Sequence, residues 1–137
     1  MKYDLDKLLK MAKSAREQAY APYSDFPVGV CIFTADGGYY AGCNVENAAY
    51  PQGQCAESTA IGNMILQGSR EIIATLVLTD TEAGVSPCGG CLQKLNEFST
   101  PETEVLIANL QGVQITKKFK DLFYNQFSGA FTRLKKA

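Results

Sequence analysis

No histidine occurs anywhere in the 137 residues. Serine–histidine and cysteine–histidine catalysis, histidine-held metals and imidazole acid–base chemistry are all excluded. A proton-transfer group in this chain is expected to be a carboxylate. Basic charge is not in excess either: 13 basic against 14 acidic residues leave a formal charge of −1 and a pI of about 5.4. That balance provides no footprint for a nucleic-acid backbone, and a free small substrate suits it better. No apolar run approaches the roughly 20 residues that a membrane-spanning helix needs. The N-terminal stretch from Met1 to Tyr20 mixes both charge signs and does not read as a signal peptide. There is no internal repeat, low-complexity tract or linker. Residues 1–137 are therefore expected to form one cytoplasmic domain, with no nucleic acid and no membrane as partner.

Cysteine is present in odd number, five in all. A disulfide framework is not expected in a reducing compartment, so metal binding, redox chemistry or burial must account for the thiols. Apolar residues make up 46% of the chain, an ordinary globular share. Leu5, Leu8, Leu9, Ala12, Ala15 and Ala19 recur at helical spacing and predict a first helix that stops before Pro22. Two β-rich runs, Val28 to Thr34 and Tyr39 to Asn44, flank Asp36-Gly37-Gly38 and predict a hairpin. The first run is apolar at nearly every residue, which predicts a central strand covered on both faces. A helix from Cys55 to Gln67, a strand from Ile72 to Thr79 and a helix from Pro87 to Phe98 follow, the last with Ser86 as its expected N-cap. Glu104 to Ala108 and Val113 to Thr116 predict strands, and Phe119 to Phe123 a short helix. This order predicts an α/β layered domain.

Two motifs carry the chemistry: Cys55-Ala56-Glu57 and Pro87-Cys88-Gly89-Gly90-Cys91. Cys88 and Cys91 lie three apart, so a helix start places both sulfurs on one face, within reach of one metal ion. Helix N-termini also favour thiolates. Cys55 and Glu57 are two apart and diverge in mid-helix; both face one site only if Cys55 sits at the very start. Three thiolates then leave one open position on a tetrahedral zinc ion, the pattern of catalytic rather than structural zinc. Zinc makes a water nucleophilic near neutral pH, and Glu57 is the proton shuttle beside it. The Cys-x-x-Cys pair alone favours a structural or redox role; the third cysteine with its carboxylate shifts the balance. Cys31 and Cys43 lie in predicted strands and read as buried apolar side chains.

At these residues the sequence resembles the cytidine deaminase family in its small homotetrameric form. The resemblance runs from about Ala19 to Phe131 and is carried by four segments in order: YAPYSDFPVG, GCNVENAAYP, QCAE and SPCGGC. The zinc site of nucleobase deaminases, with its non-ligand glutamate and P-C-x-x-C signature, is a described pattern. The resemblance implies a three-layer α/β/α domain with a mixed five-stranded sheet. It implies one Zn²⁺ per chain held by Cys55, Cys88 and Cys91, with Glu57 as the catalytic acid–base. Asn44 and Glu46 correspond to the ribose-binding pair, Phe26 to the residue packing on the pyrimidine, and Ala56 to the backbone that reads the base. In a tetramer, Tyr50 and a C-terminal aromatic, Phe127, would line a neighbour's site. The implied reaction is hydrolytic deamination of cytidine and deoxycytidine to uridine and deoxyuridine, with release of ammonia, in pyrimidine salvage.

The chain departs from the family pattern at Ser58 and Leu92, where arginine is common. The usual Leu-Leu-Pro near the C-terminus reads Leu122-Phe123-Tyr124. Two thiolate charges balance Zn²⁺ and the third leaves −1, so here the helix N-termini carry more of the offset. Two other functions stay open on the sequence: a catalytically poor nucleoside-binding zinc protein, and a deaminase of another aminopyrimidine such as blasticidin S.

Overall fold

The computed structural model describes residues 2–124 and 127–129. The chain opens with helix α1 (Leu5–Glu17), capped by Asp4, whose side chain accepts the Lys7 N–H. Strands β1 (Val28–Thr34) and β2 (Tyr39–Cys43) form the expected antiparallel hairpin. A single 3₁₀ turn at Tyr50–Gln52 leads into α2 (Ala56–Leu66), and β3 (Ile72–Thr79) follows. Then come α3 (Gly89–Asn96), β4 (Ser99–Asn109), β5 (Gly112–Lys118) and α4 (Phe119–Leu122).

The five strands make one mixed sheet in the order β2-β1-β3-β4-β5. Only β3 and β4, joined through α3, run parallel; the other neighbours are antiparallel. The uninterrupted apolar character of β1 has its cause in position: it lies between β2 and β3 with a helical layer on each face. Cys31 and Phe33 pack with Leu8 and Ala12 of α1. Val30 and Ile32 pack on the opposite side with Ala60 and Met64 of α2 and with Leu92 and Leu95 of α3. These two clusters give the three-layer α/β/α arrangement expected above.

Two glycines let the helices approach the sheet. A Cβ on Gly29 would lie 1.9 Å from the Ala12 carbonyl oxygen, and one on Gly42 would lie 2.3 Å from the Ala60 nitrogen. Both obstacles are helix backbone, which cannot rotate away. Gly42→Ala is expected to destabilise the protein by about 1–3 kcal/mol through overpacking. Denaturant melts would measure this; an unchanged midpoint would mean that α2 is free to shift on β2.

The largest departures from the sequence reading lie at the start of α3, the start of β4 and the end of β5. The third helix begins at Gly89 with Cys88 as N-cap, and Ser86 donates its hydroxyl to the Pro87 carbonyl instead of capping. Pro87 thus ends the approach loop rather than opening the helix. Strand β4 starts earlier than its apolar run because polar Ser99 already pairs with Ile72. Strand β5 runs on through Lys117 and Lys118, since an edge strand tolerates charge on its exposed faces.

Candidate active site

The starts of α2 and α3 meet at the carboxyl end of β3. Cys55 is the N-cap of α2 and Cys88 the N-cap of α3, both in extended backbone conformation. Cys91 lies in the first turn of α3 and is buried. Capping at Cys55 is the arrangement that allows Cys55 and Glu57 to serve one site. The sulfurs of Cys55, Cys88 and Cys91 lie within 4.8 Å of one another. A tetrahedral zinc ion with Zn–S bonds of about 2.3 Å needs sulfurs about 3.8 Å apart, so small adjustments suffice. No fourth ligand joins the group among the described residues.

The electrostatics of the cluster call for a cation. The Cys91 backbone N–H, bonded to the Cys88 sulfur, holds that thiol below its ordinary range. Burial, followed by the charge of Glu57 and the proximity of Cys55, pushes the Cys91 thiol up. Glu57 is only 4% exposed, and burial raises its carboxyl; the hydrogen bond with Cys91 and the charge of Lys94 act in the opposite direction. Three sulfurs beside a buried carboxylate are an anionic donor set, and a divalent ion resolves it. The residues present therefore fit zinc, with Glu57 next to the ligands but outside the converging set.

A cavity of about 280 Å³ opens onto the sulfurs. Its walls include Phe26, Asn44, Glu46, Ala56 and Glu57, with Val28, Val77 and Thr79 from the sheet. All these expected site residues thus share one space. Asn44 is buried at 9% exposure and braces the wall: its side chain donates to the Phe26 carbonyl (3.0 Å) and accepts the Val28 N–H (2.9 Å). Glu46 Oε1 accepts the N–H groups of Tyr23 (3.0 Å) and Ser24 (3.1 Å), and Oε2 accepts the Ser24 hydroxyl. These bonds, the Ser24 hydroxyl foremost, keep the Glu46 carboxyl below the usual carboxylate range. The sequence reading assigned no role to Tyr23 or Ser24. Their segment, YAPYSDFP, was legible as a motif, but its docking on Glu46 is a tertiary contact without a local signal.

Tyr50 stands apart from the sulfurs. It lines an adjoining cavity of about 310 Å³ with Tyr23, Ser24 and Glu46, and its ring meets the Tyr23 ring edge-on at 5.8 Å. Phe127 has an exposed side chain, while its carbonyl accepts from Gln93 and Asn96 of α3. Neither reaches the sulfur-lined cavity of its own chain. Cys31 is buried at 0% exposure and burial raises its thiol to about 12, as suits an apolar core residue. Cys43 is half-buried, and its thiol is also raised by burial.

Comparison with known proteins finds the same architecture and site region. The family profile described as the cytidine and deoxycytidylate deaminase zinc-binding region matches residues 2–107. A cytidine deaminase of Sporosarcina psychrophila is 48% identical over 109 residues, covering 80% of each chain. One of Halalkalibacterium halodurans is 43% identical over 109 residues, covering 80% of this chain and 83% of its own. The crystal structure of cytidine deaminase from Burkholderia pseudomallei superposes with a TM-score of 0.85 at 40% identity, over 91% of this chain and all of that one.

Proposed function

Since the chain belongs to the cytidine deaminase family and carries that family's zinc-binding region, we propose that it deaminates cytidine and deoxycytidine to uridine and deoxyuridine, releasing ammonia in pyrimidine salvage. The observation that carries this reading is the convergence of three sulfurs and a buried glutamate on a cavity that also holds Phe26, Asn44 and Glu46. Cys55, Cys88 and Cys91 would hold one zinc ion per chain. Bound there, zinc supplies a Lewis acid that makes water nucleophilic near neutral pH. Glu57 takes one proton from the attacking water and delivers it to ring N3, then takes the proton of the new C4 hydroxyl and passes it to the departing amine as the C4 carbonyl forms. Its burial supports this role, because a carboxyl raised above its ordinary range holds a proton more readily between the steps that move it. Phe26 packs on the pyrimidine, and the Ala56 backbone reads its polar edge. Asn44 and Glu46 face the sugar hydroxyls; their bonds to the 23–28 segment hold them in place.

The substrate is a free nucleoside rather than a nucleotide. Among the described residues, those lining the two cavities include no lysine or arginine, and they do include the ionised Glu46. A phosphate placed there would meet like charge without a counter-ion. Ultraviolet-monitored assays are expected to show turnover of cytidine and deoxycytidine, with kcat/KM on the 5′-monophosphates lower by about tenfold or more. Zinc-loaded protein that releases no ammonia from either nucleoside would instead be a nucleoside-binding zinc protein. Preferential release from blasticidin S would point to the other aminopyrimidine.

One sheet serving both hydrophobic clusters supports a single domain, and a zinc site made of free thiols suits the reducing cytoplasm. Tyr23, Phe26 and Tyr50 are exposed and line the two cavities, and the exposed Tyr20 and Val45 pair with each other just before Glu46. An apolar rim of this kind supports a homotetramer in which Tyr50 and Phe127 approach a neighbouring site. Phe131, the last of the C-terminal aromatics, lies outside the described residues.

A further inference from the structure

The geometry points to Lys94 as a positioning residue that tunes the zinc site through its charge, held across the seam between α2 and α3 by Ser58. Lys94 follows Cys91 by three residues, one helical turn along α3, so it lies on the same side of that helix. Its ammonium does not simply extend into solvent. It reaches across to α2 and donates to the hydroxyl of Ser58 at 3.2 Å. Ser58 immediately follows Glu57, so the bond brings a positive charge to the segment that carries the proton shuttle. The charge arithmetic gives this contact a purpose. Three thiolates exceed Zn²⁺ by one negative charge, and an ionised Glu57 adds a second. Among the described residues, the cavity that holds these groups has no lysine or arginine in its lining. The Lys94 ammonium, bonded to the residue next to Glu57, is placed to supply the missing positive charge from outside it. By offsetting the surplus from outside the cavity, it strengthens the hold on zinc without blocking the open position.

The inference rests on the zinc site but not on the choice of substrate. Zinc affinity of the purified, zinc-loaded protein would be measured by competition with a chromophoric chelator, for the original protein, Lys94→Arg, Lys94→Met and Ser58→Ala. Lys94 is exposed, so its substitution leaves the core intact. Lys94→Met is expected to weaken zinc binding by about fivefold, an effect the size of a favourable exposed ion pair. Lys94→Arg, which keeps the charge, should bind zinc as the original does. Ser58→Ala should fall between, since the charge stays but loses its anchor. The difference between Lys94→Met and the original should also shrink in high salt, as solvent-exposed charge effects do. Equal affinity for Lys94→Met and the original would overturn the proposal, as would an arginine variant as weak as the methionine one. Absence of deamination in a protein that binds zinc normally would count against the proposed reaction alone and leave this inference standing.

Discussion

Replacing Glu57 by glutamine is expected to leave one zinc ion bound per chain and to lower cytidine turnover by about a thousandfold. Glu57 is 4% exposed, lies on α2 behind its N-cap Cys55, and does not belong to the set of converging ligand atoms. Glutamine keeps its size, so the packing of α2 and the sulfur geometry should survive. What disappears is the ability to take up a proton. A single group is asked to move protons to the ring and to the leaving amine, so its loss affects both stages. Metal analysis beside the ultraviolet assay separates the two effects. Substantial residual turnover would assign the proton transfers to another group. A loss of zinc would mean that Glu57 holds the metal.

Cys91→Ala carries the second large effect. It should weaken zinc binding by more than about a hundredfold and abolish deamination, since it removes a ligand itself rather than a supporting partner. The matched control is Cys31→Ala. Both cysteines are buried and both thiols are raised, so neither burial nor acidity distinguishes them. Their neighbours do. Cys91 faces two further sulfurs and a carboxylate, whereas Cys31 faces the apolar side chains packed under α1. Cys31→Ala should keep its zinc and lose about 1 kcal/mol of stability through the small cavity it leaves. Stoichiometric zinc in Cys91→Ala would sink the three-sulfur site.

The convergence of the three sulfurs was legible in the sequence because their spacing has few structural solutions. Cys55 and Glu57 diverge within a helix, so only a helix start reconciles them, and the N-cap position of Cys55 is that solution. The double coverage of β1 was legible for a similar reason: no polar residue interrupts Val28 to Phe33, so no face is left for solvent. The start of α3 was not. Ser86-Pro87 carries the usual N-terminal signals, yet the cap is Cys88, which takes the position by its extended backbone and without a side-chain cap bond. The limits of β4 and β5 also escaped, because strand pairing at Ser99 and Lys118 comes from backbone bonds that polar side chains do not announce. Least visible were the bonds from Tyr23 and Ser24 to Glu46, which join residues more than 20 positions apart with no periodicity to link them.

The three clustered thiols sit on either side of β3 along the chain: Cys55 is made before that strand, Cys88 and Cys91 after it. β3 itself lies between β1 and β4 in the finished sheet. During synthesis, the first thiol therefore waits for its partners until the middle strand has been produced. Before Cys91 has been made, the chain holds at most two of the three sulfurs. An ion bound by all three would tie the segment before β3 to the segment after it, so metal binding and the seating of that strand are coupled.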